Sequence, residues 1–154
     1  MAWYDYIKGF FYRPPNEDKN EDIEELLEML KSMSEDLLFT SESDYPFEVI
    51  CWEIKTKVVD ATTIQEYIGT KSKTLEVKES TPDKLLSRRA RTRPYYSTER
   101  REKANRFKQI IDFFQSQVAN AKAFRIGKVE IDIYIIGTVS DSHIIGLKTT
   151  AVET

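Results

Sequence analysis

Between positions 21 and 38 the apolar residues Ile23, Leu26, Leu27, Leu30, Met33 and Leu37 recur at three- and four-residue spacing, which lines them up along one helical stripe. Acidic residues crowd the start of this segment, where the helix dipole favours negative charge. The pattern predicts a helix over 21–38. Residues 40–47 are polar, contain Pro46 and have no period, so they read as a loop. Over 47–57 the period becomes two, with Phe47, Val49 and Cys51 on one face and Ile50, Trp52 and Ile54 on the other. Apolar residues on both faces predict a strand covered on both sides, and hence helices on each face of the sheet.

Further along, Thr62-Thr63 opens a short helix that Gly69 can close. A short strand is expected over 75–78. Thr81-Pro82-Asp83 then marks a helix start, with Thr81 as N-cap and Pro82 in the first helical position. Leu85 and Leu86 give that helix its apolar contact. Residues 89–96 read as a loop, because Pro94 disfavours helix in its predecessor. A long helix over 98–118 buries Ala104, Phe107, Ile110, Ile111, Phe114 and Val118. After Ala123 the period returns to two: Val129, Ile131, Ile133 and Ile135 alternate with Glu130, Asp132, Tyr134 and Ile136. A turn over 137–142 and a final strand over 143–152 complete a C-terminal hairpin.

Composition adds that this is one ordinary domain: 154 residues, 40% of them hydrophobic and 12% aromatic, are enough to bury a core. Six aromatics, Trp3, Tyr4, Tyr6, Phe10, Phe11 and Tyr12, precede the Pro14-Pro15 pair. We therefore divide the chain into an aromatic arm and linker, 1–20, expected to pack on the domain, and a domain over 21–154. No apolar run approaches the roughly 20 residues of a membrane span, and residues 1–15 lack the basic start and apolar run of a secretory signal. A soluble cytoplasmic protein is expected.

Charge changes the picture more. The net charge of −3 excludes a globally basic nucleic-acid binder and gives no support to a strongly acidic phosphate mimic. Yet residues 16–53 carry 13 acids against Lys19 and Lys31, a balance of −11, and residues 79–108 carry ten basic residues against four acids, a balance of +6. Such halves neutralise each other within the fold or face a partner.

Catalytic chemistry finds little purchase. One histidine, His143, and one cysteine, Cys51, build neither a Cys/His zinc site nor an internal disulfide, in keeping with a reducing compartment. No glycine-rich phosphate loop is present. An enzyme would have to use His143, at the predicted hairpin turn, and no nucleophile motif lies near it. Glu130 and Asp132 share a strand face; the ordinary meaning of that pair is a solvated surface and the rarer one a metal site. Arg88-Arg89-Ala90-Arg91-Thr92-Arg93-Pro94-Tyr95-Tyr96 interleaves arginines with aromatic rings, a pattern suited to phosphates and stacked bases. It supports an alternative reading as a binding module for nucleic acid or another protein through residues 88–101.

Leu37-Leu38-Phe39-Thr40-Ser41-Glu42-Ser43-Asp44-Tyr45-Pro46-Phe47-Glu48-Val49 resembles the first signature of the nuclease A inhibitor family. Residues 124–154, with Arg125-Ile126-Gly127-Lys128-Val129-Glu130-Ile131 and the ending Ala151-Val152-Glu153-Thr154, resemble its closing hairpin. Leu85-Leu86-Ser87-Arg88 and the Phe107 helix are similar in pattern, so the likeness spans 22–154. It implies an α+β fold, a three-layer α/β/α sandwich with a mixed sheet resembling the pathogenesis-related 1 proteins.

The resemblance also implies function: inhibition of a non-specific, magnesium-dependent DNA/RNA nuclease by a one-to-one protein complex at its active site. No catalysis and no cofactor of the chain's own are implied, and the free protein is expected to be a monomer. Thr154 is implied to reach the nuclease's magnesium, which prefers hard oxygen donors. Glu42 is implied to contact a nuclease arginine, in place of a phosphate. Ser41, Arg93, Tyr95 and Glu153 complete the implied partner surface. One region departs from the family pattern. Where the family has a Gln-Asp-Trp-Tyr-like segment among acids, this chain has Arg93-Pro94-Tyr95-Tyr96, followed by Arg100 and Arg101. Tyr95 retains an aromatic anchor, but the local charge is reversed. A site built for phosphates repels these arginines unless it offers acids nearby.

Overall fold

The computed structural model describes residues 19–53, 60, 61, 64, 76–139 and 143–153, with backbone alone at 19–22. The aromatic arm, the helix expected after Thr62-Thr63 (apart from Ile64) and Thr154 lie outside the described residues. In chain order the elements are α1 (Lys19–Ser34), β1 (Leu38–Thr40), β2 (Asp44–Pro46), β3 (Glu48–Glu53), β4 (Val77–Ser80), α2 (Pro82–Ala90), α3 (Thr98–Ser116), β5 (Ala119–Ile126), β6 (Glu130–Val139) and β7 (His143–Val152). This is an α+β arrangement.

β1 and β2 form a small hairpin, while the other strands make a five-stranded sheet in the order β3-β7-β6-β5-β4. Every pairing among the described strands is antiparallel, which corrects the expected mixed sheet. The cause is connectivity. Few residues separate β5 from β6 and β6 from β7, and links so short allow only antiparallel neighbours. α2 and α3 lie between β4 and β5, yet β5 runs back antiparallel to β4.

Apolar residues fill both faces of the sheet, as the doubly apolar pattern of β3 predicts. On one face Ile131, Ile133, Ile135, Ile145 and Leu147 pack with Leu26 and Leu30 of α1, Leu86 of α2 and the phenylalanines of α3. On the other, Phe124, Ile126, Tyr134, Ile136 and Ile144 pack with Ile64, and with the half-buried Ile50, Trp52 and Val77. β3 is an edge strand, so Cys51 is exposed although Val49 on the same face reaches the core.

The helices follow their sequence signals closely. Thr81 caps α2 by accepting a bond from the Lys84 amide at 3.1 Å. Ser97 caps α3 in the same way, accepting from the Arg100 amide at 3.2 Å. α2 continues through Arg89 and Ala90, where a loop was expected, because Pro94 restricts only the residue before it. α1 stops at Ser34, short of the expected 38. Asp36 adopts a left-handed backbone with φ 59°, and Arg106 of α3 donates to the Met33 and Glu35 carbonyls that α1 leaves open. The basic half of the chain thus meets the acidic helix at its carbonyl end.

Two further differences bear on the site. The loop expected over 40–47 is the β1–β2 hairpin with its turn at 41–43. β6 also extends through Gly137 to Val139, beyond the expected turn; Gly137 pairs with Ile145, and a side chain there would collide with Val118. His143 therefore opens β7, paired with Val139 and Glu53, rather than lying in a turn.

Candidate functional site

β7 ends at Val152, with Glu153 immediately beyond it. Two loops hold this end from opposite sides. On one side is the β1–β2 turn. Ser41 Oγ accepts from the Val152 amide at 3.0 Å and donates to the Ser43 carbonyl at 2.8 Å. The Glu42 amide donates to the Val152 carbonyl at 3.2 Å. Thr149 Oγ1 donates to the Pro46 carbonyl at 2.9 Å, which ties the far strand of the hairpin to β7 as well. On the other side is the β5–β6 turn, where Gly127 takes φ 114°; the Glu153 amide donates to the Val129 carbonyl at 2.8 Å.

The clamp brings Ser41, Glu42 and Glu153 together at one edge of the molecule, from positions about a hundred residues apart in sequence. Ser41 is half-buried and fastens the turn to β7. Glu42 is exposed. Glu153 pairs with Arg125 of β5, whose Nη2 lies 2.5 Å from Glu153 Oε1.

Arg89, in the last turn of α2, completes this edge. Its Nη2 donates to the Thr40 carbonyl at 2.7 Å, and its guanidinium sits 3.7 Å from the centre of the Phe39 ring. Burial lowers its pKa from the ordinary arginine value; Arg88 and Arg125 add to that, while Glu153 opposes it. Arg89 remains charged, since an arginine starts so far above neutral pH.

Arg93 and Tyr95 lie in the segment between α2 and α3. The Tyr96 amide closes a turn on the Arg93 carbonyl at 3.1 Å, and Arg101 donates to the Pro94 carbonyl at 2.5 Å. Arg100 stacks over Tyr96 at 3.7 Å, and Tyr95 meets Tyr96 edge-on with ring centres 5.2 Å apart. Tyr95 itself is 79% exposed, so the turn presents one ring on an ordered base.

Between the β1–β2 hairpin and the α2–α3 pair lies a cleft of about 380 Å³. Tyr96, Arg91 and Arg100 line it, whereas Arg93 and Tyr95 do not. Of the residues that the resemblance implies, the structure thus brings Ser41, Glu42 and Glu153 into one cluster. It sets Arg93 and Tyr95 on a separate turn beyond the cleft.

Sequence reasoning did not single out Arg89 and Arg125 as partners of this edge. Arg125 belongs to β5, which was not predicted. Asn120 has a left-handed backbone, the β5–β6 register shifts between Ala119 and Lys122, and Lys122 and Arg125 break the apolar alternation. Among the described residues, no three acidic, histidine or cysteine side chains gather as metal ligands, Glu130 and Asp132 included. Nor is any described helix long and apolar enough to cross a membrane. A family model described as nuclease A inhibitor-like protein matches residues 24–154. A comparison with curated proteins gave no match.

Proposed function

The chain belongs to the nuclease A inhibitor-like family, and from that membership we propose that it inhibits a non-specific, magnesium-dependent DNA/RNA nuclease by docking at that enzyme's active site as a one-to-one complex. The chain acts as a plug and performs no catalysis. Glu42 meets a basic side chain that would otherwise hold a substrate phosphate. Thr154 supplies a hard oxygen to the nuclease's magnesium. Tyr95 anchors the rim of the complex. In this reading Ala61 and Ile64, packed against the second face of the sheet, belong to the third layer of an α/β/α sandwich. The protein works in the cytoplasm and is a monomer when free.

The observation that carries this reading is the double clamp on the end of β7. Hydrogen bonds to the Ser41–Ser43 turn and to Val129 fix the Val152 backbone and the Glu153 amide from the two flanks of the strand. An inhibitor that inserts its last residues into an active site gains from such ordering, because the entropy of fixing the segment is lost before binding. The test is titration. The nuclease retained by the immobilised chain from its native cell extract is assayed on both DNA and RNA. Loss of both activities at equimolar chain is expected; full activity at equimolar chain would refute the proposal.

A further inference from the structure

The cleft between the hairpin and the helices is charged in two halves. Its helical wall carries Arg88, Arg89, Arg91, Arg100 and Lys103, and the facing wall carries Asp36, just ahead of β1, and Asp44 of β2. Ala104 and Phe107 lie at its apolar base. Of the cations Arg89 is anchored on the Thr40 carbonyl and Arg100 lies over the Tyr96 ring, while Lys103 pairs with Glu99 at 3.6 Å. A carbonyl orients a guanidinium but does not neutralise it. The helical wall therefore keeps an excess of positive charge, held in place by the fold.

Building on the inhibitor reading above, we propose that this cleft receives an acidic segment of the partner nuclease and so selects which nucleases the chain can inhibit. Carboxylates on that segment bond to the guanidinium forks of α2 and α3. A basic or neutral group on the same segment faces Asp36 and Asp44. A nuclease lacking acids beside its active site meets uncompensated arginines there and is rejected.

The two-signed lining favours a polypeptide over a nucleic acid. A phosphate backbone is negative along its whole length, so a strand filling the cleft would run against Asp36 and Asp44 as well as along the arginines. The stacking surface is also partly taken, since Arg100 covers a face of Tyr96 and Tyr95 meets that ring edge-on. A polypeptide can match both signs.

The test uses the whole chain at low salt and follows fluorescence anisotropy of two probes, a labelled peptide in which a run of glutamates is followed by glycine and lysine, and an oligothymidylate carrying as many phosphates as the peptide has glutamates. Two variants are compared. Arg88→Glu with Arg91→Glu reverses exposed charges in the cleft. Lys84→Glu with Lys108→Glu makes the same change in net charge outside it. The peptide should bind the unaltered chain, lose about tenfold in affinity with the cleft variant, and lose less than about twofold with the control. Absence of peptide binding, or equal loss in both variants, would overturn the proposal. So would tighter binding by the oligothymidylate that displaces the peptide, which would make the cleft a nucleic-acid site. Failure of this test leaves equimolar nuclease inhibition standing, and failure of inhibition leaves peptide binding standing, so the two ideas fail separately.

Discussion

Ser41 Oγ accepts the Val152 amide proton across 111 positions of chain, at 3.0 Å. This bond joins the two segments that carry the resemblance to the inhibitor family. Replacing Ser41 by Ala leaves that part-buried amide without its acceptor. A loss of about 1–2 kcal/mol is expected, read from the shift in urea midpoint, with faster hydrogen exchange at Val152. Ser41→Thr, which keeps the hydroxyl, should recover most of it. An unchanged midpoint in Ser41→Ala would show that the clamp does not depend on this bond.

Tyr95 separates binding from folding. With 79% of its surface exposed, its ring contributes little to the fold, so Tyr95→Ala should shift stability by no more than about 0.5 kcal/mol. As an aromatic anchor in a complex it should matter more, with inhibition weakened about tenfold or beyond. Parallel thermal melts and nuclease titrations check both halves of this prediction.

How far the sequence discloses the molecule depends on whether a segment's pattern is set locally. The cap at Thr81 and the stripes of α1 and α3 are local, and they formed where the spacing placed them, apart from the ends of the helices. β5 is not local. Its bulge and the charged Lys122 and Arg125 hide the alternation, and only pairing with β4 and β6 makes it a strand. The small hairpin was missed for a related reason: its three-residue strands depend on Thr149 and Val152 of β7, which lie a hundred positions away. Glu42 and Glu153 entered through resemblance alone. The reason they belong together, the Ser41–Val152 bond, required the fold.

Gly146 tests the centre of the sheet. A Cβ at this position would run into the Ile135 carbonyl of the neighbouring strand, a backbone atom with no rotamer to yield. Gly146→Ala should therefore destabilise by about 1–3 kcal/mol, measured by chemical denaturation. Gly137→Ala meets the Val118 side chain first and should cost less. The reverse order would contradict the packing described here.

Tyr134 gives a pH signature. The side chain is 3% exposed, and its phenol is pushed up to about 12 from the ordinary value of 10.0, first by burial and then by Asp132 and Glu48. Between those values the folded chain holds a proton that the unfolded chain has released. Stability should therefore fall as pH rises from 10.0 towards 12. Tyr134→Phe should flatten that part of the profile, read from denaturation midpoints across the alkaline range. An equally steep fall in the variant would place the alkaline sensitivity elsewhere.

In the proposed complex the end of β7 and the Ser41–Ser43 turn together enter the nuclease active site. Titration of the captured nuclease with three forms of the chain tests it most directly: intact, lacking Thr154, and carrying Glu42→Lys. Stoichiometric inhibition by the intact chain is expected, with a loss of potency of at least about tenfold in each altered form. Undiminished potency in both altered forms would contradict it.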